Sequence, residues 1–128
     1  MQFNSLIPEL SVFDICRSKA FYQDLGFEIM YERRENKFCF LQLEGNQIMI
    51  EENNDNWNTG ELEYPYGRGI NISMCVSDVE SFYNKLKDKG VKFFKELEVH
   101  EYRVLDDISY DMEFLIQDPD GYLLRFNN

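Results

Sequence analysis

Between Leu6 and Phe13 the apolar positions alternate, with Leu6, Pro8, Leu10 and Val12 on one face, which is the period of a half-buried strand. At Asp14 the period changes. Ile15, Phe21, Tyr22 and Leu25 recur at helical spacing, Asp14 offers a carboxylate to the free N–H groups of a first turn, and Gly26 suits a left-handed exit. Three more strands are predicted from Phe27 to Arg33, Phe38 to Leu43 and Gln47 to Glu52. They are separated by turn residues at Glu35, Asn36, Lys37 and at Glu44, Gly45, Asn46.

The second half repeats this order. A strand from Ile70 to Val76 runs into Asp78, which caps a helix that turns Val79, Phe82, Tyr83 and Leu86 inward and stops at Gly90. Strands near Lys92 to Glu98, Met112 to Gln117 and Tyr122 to Phe126 follow, the last two joined by Asp118, Pro119, Asp120 and Gly121. The two capping aspartates and the two stop glycines are each 64 residues apart, half of the 128-residue chain. Two copies of βαβββ make a duplication, and the predicted fold class is α+β: paired βαβββ modules forming a curved mixed sheet around a cleft, in one domain of residues 1–128. Module one spans about residues 4–52 and module two about 70–128.

The stretch 53–69 between them has Asn53, Asn54, Asn56, Asn58, Gly60, Pro65, Gly67 and Gly69 but no period, so it reads as an irregular connection. Long connections of this kind are uncommon in small domains and are often functional. This one holds Trp57, the sole tryptophan, with Tyr64 and Tyr66.

Charge changes the picture next. Asp and Glu number 24 against 13 Lys and Arg, a formal net charge of −11, divided as −7 over residues 1–64 and −4 over the rest. The acid is spread over a chain that is 44% hydrophobic and 16% aromatic, which separates it from a disordered acidic tail. A negative field excludes phosphate-reading partners, so no nucleic acid and no anionic membrane is expected, and it favours a cationic ligand or simple solubility. The N-terminal residues show no signal-peptide pattern and no apolar run is long enough to span a membrane. Cys16, Cys39 and Cys75 are widely spaced and odd in number, and read as reduced core residues of a cytoplasmic protein.

The segments LSVFDICRSKAFYQDLGFE and QDPDGYLLRF, with the paired βαβββ order between them, resemble the vicinal oxygen chelate superfamily, which includes glyoxalase I, extradiol dioxygenases, fosfomycin resistance enzymes and bleomycin resistance proteins. IMIEE, GELEYPYGRGIN and the ending DPDGYLLRF are most similar to the bleomycin resistance proteins. Catalytic members of the superfamily hold a divalent ion with four side chains, and the resemblance lays those positions near Ile7, Glu51, Asn71 and Arg125. Only Glu51 is a good ligand type, and the lone histidine, His100, reads as a solvated loop residue, as do Asp106, Asp107 and Asp111. No metal, cofactor or catalytic residue is therefore expected.

What the resemblance implies is sequestration of a cationic, flat antibiotic of the bleomycin type in an acidic, aromatic-lined cleft, without chemistry. The candidate ligand-binding residues are Phe38, Phe40, Glu51, Trp57, Tyr64, Tyr66, Asn71 and Arg125. Glu32, Glu35, Glu52, Glu61 and Glu63 are further carboxylates, and a Glu51–Arg125 pair is expected on the cleft floor. Phe38 and Phe40 share a strand face and are equally compatible with ordinary core. The resemblance also implies a homodimer with both chains shaping each cleft; in bleomycin resistance proteins the first strand is exchanged between subunits, and Pro8 sits where such an arm would turn. Two other functions stay open: a metal-dependent lyase, isomerase or dioxygenase of the glyoxalase type, and a carrier or sensor of another small metabolite.

Overall fold

The first alternating stretch forms β1 (Glu9–Val12), and α1 (Ile15–Leu25) follows it. Asp14 Oδ1 accepts from the N–H groups of Cys16 at 3.0 Å and Arg17 at 3.2 Å, and Gly26 ends the helix at φ 111°. β2 (Glu28–Arg33), a single 3₁₀ turn (Arg34–Asn36), β3 (Phe38–Leu43) and β4 (Asn46–Glu52) complete this part. The strands lie in the order β1-β4-β3-β2, with β1 parallel to β4 and the others antiparallel. The computed structural model describes residues 1–128, which divide into two units, Met1–Tyr66 and Gly67–Asn128.

β1 starts three residues later than the alternation predicts. Its ladder with β4 begins at Glu9 opposite Met49, where Met49 N–H donates to the Pro8 carbonyl, and Pro8 itself has no N–H to extend it. Upstream, the Gln47 side chain accepts from Asn4 N–H at 2.7 Å, and Leu6 is left 80% exposed.

One face of this sheet is the core. Leu10, Ile50 and Cys39 stand side by side across the ladders, as do Leu41 and Ile48, and all are buried with Tyr22 and Leu25 of α1. The turn between β3 and β4 has two residues, Glu44 and Gly45, both at positive φ (47° and 84°), which is the backbone of a type I′ hairpin.

The second unit repeats the plan with β5 (Asn71–Cys75), α2 (Val79–Asp88), β6 (Lys95–Val104), β7 (Asp107–Gln117) and β8 (Leu123–Asn127), in the sheet order β5-β8-β7-β6. Asp78 Oδ1 accepts from Ser81 N–H at 3.0 Å and so caps α2. Beneath α2, Phe114 meets Phe82, Tyr83, Phe93 and Phe126 at ring-centroid distances of 5.7, 5.5, 5.6 and 5.3 Å. The result is an α+β fold of two four-stranded mixed sheets and two helices. No helix is long and apolar enough to cross a membrane.

The segment from Val99 to Asp111 is a correction to the sequence reading. It is a long hairpin, not a polar loop, and His100 and Asp111 are ladder partners in it. Both faces are mostly exposed here, so charged and apolar residues share each face and the alternation that marks a half-buried strand is missing.

The cysteines correct a second expectation. Only Cys39 is in the core, whereas Cys16, in the first turn of α1, and Cys75, on the β5 face opposite α2, are exposed; none is in a disulfide. Burial, with a smaller contribution from Glu32, pushes the Cys39 thiol up to about 11. An aromatic disulfide reagent at pH 8 should therefore modify two thiols in the native protein and the third only after denaturant is added.

Candidate functional site

In the first unit the sheet face opposite α1 is not greasy throughout. One row across it is Ser11, Glu51, Phe38 and Arg33, and the next is Glu9, Met49, Phe40 and Tyr31. Phe38 and Phe40 thus share the predicted face, yet both are covered, at 4% and 1% exposure. The Phe40 ring stacks on Tyr31 at 5.2 Å and takes an edge contact from Phe3 at 5.4 Å. The Arg33 guanidinium lies 4.4 Å from the Phe38 centroid, a close cation–π contact.

Trp57 brings the irregular segment to this face. Its indole N–H donates to the Glu9 carboxylate, while the ring stays 69% exposed. Burial raises the Glu9 carboxyl above its ordinary value and the neighbouring Glu51 charge raises it further; Arg33 and the Trp57 bond oppose this without cancelling it. Glu51 accepts from Asn54 Nδ2 at 2.8 Å. Side-chain oxygens of Asn53 and Asn54 accept from the N–H groups of Asp55 and Asn56, both at 3.0 Å, so the asparagines that looked like structureless polar filler hold consecutive Asx turns that present Trp57.

The other carboxylates divide by face. Glu32 lies in the Cys39 row on the α1 side, bonded to Lys19 at 3.1 Å and Arg34 at 2.6 Å, which hold its carboxyl below the ordinary range. Glu52 accepts from Ile15 N–H and from Lys37 Nζ, each at 3.2 Å, and so secures the start of α1. These two are structural here. Glu35, Glu51 and Asn56 line a cavity of about 470 Å³. Glu61 and Tyr66 line another of about 640 Å³ with Phe13 and Asp55, and Tyr64 is exposed.

In the second unit, Arg125 and Asn71 lie on the sheet face opposite α2. Arg125 Nη1 is 3.5 Å from Glu113, whose other oxygen is 3.2 Å from His100 Nε2; the same nitrogen is 2.9 Å from Glu98. Asn127 donates to Ser73 Oγ at 2.7 Å. Ser73, His100, Glu113, Arg125 and Asn127 line a cavity of about 560 Å³. Within its own unit Glu51 is bonded to Asn54, and within the other Arg125 lies beside Glu113. Glu113 and Glu9 escaped the sequence reading. The signal for each was a lone acid at an interior strand position, which only becomes informative once the strand's face is known.

The four positions that the resemblance assigns to a metal ion do not make a donor set. Ile7 has no donor atom, Arg125 brings a positive charge of its own, and an Asn71 amide with a Glu51 carboxylate leaves two weak-to-moderate oxygen ligands. No group of three or more His, Cys, Asp or Glu side chains is arranged to hold a metal ion.

Among solved structures, the chain resembles a glyoxalase/bleomycin resistance protein/dioxygenase superfamily member from Vibrio splendidus 12B01, at 36% identity over 93% of both chains with a TM-score of 0.44. It also resembles the glyoxalase/bleomycin resistance protein/dioxygenase from Alicyclobacillus acidocaldarius, at 21% identity over 97% of this chain and 89% of that one, with a TM-score of 0.69. TioX from Micromonospora sp. ML1 has 15% identity over 98% of both chains and a TM-score of 0.75, a likeness of fold. No curated protein matches the chain. The family model of the glyoxalase/bleomycin resistance protein/dioxygenase superfamily matches residues 4–126, nearly the whole length. On that match, and with βαβββ present twice, the chain belongs to this superfamily.

Proposed function

We propose that the chain is a binding protein that sequesters a cationic, aromatic small molecule of the bleomycin type without modifying it. The observation that carries this is the Trp57–Glu9–Glu51 group: an exposed indole tied to one of two neighbouring carboxylates, on a face floored by Phe38 and Phe40. A flat cation stacked on Trp57 gains about 0.5–2 kcal/mol per cation–π contact, and two carboxylates add charge-assisted bonds. A few such contacts approach the roughly 8 kcal/mol that micromolar binding requires. Tyr64 and Tyr66 extend the aromatic surface from the same segment, while Asn71 and Arg125 offer polar contacts on the second unit's own face. The proposal includes a homodimer and a cytoplasmic location.

Isothermal titration with metal-free and copper-loaded bleomycin, read together with Trp57 fluorescence, tests the proposal. Trp57→Ala should weaken binding by more than about 1 kcal/mol, or roughly fivefold. The pH dependence has a definite sign. A carboxyl raised above 4.5 loses its charge at a higher pH than an ordinary glutamate as acid is added, so affinity for the cation should begin to fall above pH 4.5, and Glu9→Gln should flatten that fall. No heat and no fluorescence change at about 50 μM ligand rejects the reading.

A further inference from the structure

β6 is the outer strand of its sheet, with β7 on one side and no strand on the other. Such an edge offers a row of N–H and C=O groups to any second strand, and proteins protect it with short length, proline, bulges or charged side chains, lysine above all. The other outer strands follow this rule: β1 and β5 have four and five residues, and β2 carries a bulge between Ile29 and Tyr31. β6 has ten residues, no proline, a single lysine at its first position, an irregularity confined to Lys95–Glu98, and other charges of both signs, Glu96, Glu98, Glu101 and Arg103, which repel a second strand only in registers that set like against like. From Val99 to Val104 it is exposed and regular, and Val99, Tyr102 and Val104 are joined by exposed Leu105 at the hairpin tip and by Ile108 and Tyr110 on β7.

We propose that β6 pairs antiparallel with β6 of a second copy of this chain, about a two-fold axis at Tyr102. Such an axis runs normal to the sheet and keeps each face on its own side, so every residue meets one of the same parity on the copy. With Tyr102 opposite Tyr102, Glu101 meets Arg103 on both sides of the axis, His100 meets Val104, and Leu105 comes toward Val99. The ladder partners of Glu101 and Arg103 are Tyr110 and Ile108, so each ion pair is flanked by two side chains that are now exposed.

Neighbouring registers lose this match. An axis at Glu101 sets that carboxylate against itself, and one at Arg103 does the same to the guanidinium. An axis at His100 puts Glu101 against Val99 and Arg103 against Leu97. Opposite charges across a strand pair stabilise it and like charges destabilise it, so the charges of β6 select one self-pairing out of the four. The strand is complementary to itself in that register.

This inference deepens the homodimer of the proposal above by naming its surface, and one set of measurements separates the two. Sedimentation velocity of the full chain from about 5 to 200 μM should show a reversible dimer. Glu101→Arg or Arg103→Glu should each weaken it at least about tenfold, because each creates two like-charge contacts, and the double exchange should restore it to within about threefold. Tyr102→Cys in a Cys16→Ser, Cys75→Ser background should oxidise to a covalent dimer. A dimer that both single reversals leave unchanged, or that gives no Tyr102→Cys link, overturns the β6 surface and keeps the homodimer. A monomer at every concentration overturns both.

Discussion

Phe114→Ala is expected to cost about 3–5 kcal/mol of folding stability, the range for removing a fully enclosed aromatic ring. Phe114 is 0% exposed and is in ring contact with Phe82 and Tyr83 from α2, Phe93 from the segment after it, and Phe126 from β8. Truncation removes the one ring that all four touch, and the neighbours are held on separate backbone elements that cannot close together over the void. Domains are stable by only about 5–15 kcal/mol, so the variant should be near its unfolding midpoint in mild urea. Phe114→Leu keeps most of the volume and should lose much less. Equal urea midpoints for the alanine variant and the parent would show that this cluster is not the core of the second unit.

The second large effect is expected at the turn before β8. Asp118 is buried, and its Oδ1 accepts from the N–H groups of both Asp120 and Tyr122 at 2.9 Å, while its own backbone N–H donates to the Tyr122 carbonyl. Asp118→Ala strands two donors in a place that water does not readily reach, at about 1–3 kcal/mol for each. Asp118→Asn retains an acceptor oxygen at the same position and should recover a large part of the loss. Amide exchange at Asp120 and Tyr122 should accelerate in the alanine variant ahead of global unfolding.

That turn also explains part of what the sequence revealed. The order of elements was legible because each helix is announced by a capping aspartate and a terminal glycine, signals that depend on only a few neighbouring residues. β3 was predicted with its observed limits, since it is buried and bounded by turns. Legibility failed where the signal is not local. The hairpin from β6 to β7 has no single apolar face, so alternation does not mark it, and Cys16 and Cys75 read as core because cysteine is usually buried. For the candidate site, Trp57 was legible as an aromatic out of place among asparagines. Its partner Glu9 was not, because 48 residues separate them and only the pairing of β1 with β4 shows which face Glu9 occupies.

Glu51 and Glu52 are consecutive residues of β4 with opposite duties, one beside Glu9 on the face away from α1 and one at the first turn of α1. In an extended strand a shift of one position exchanges which side chain faces which way. Lengthening the Glu44–Gly45 turn by a single residue would therefore threaten the helix start and the site together. An insertion of several residues among the asparagines after Glu52 would leave the β3–β4 pairing intact. Divergent relatives that keep this architecture should then vary in length after β4 and keep the turn before it invariant in length.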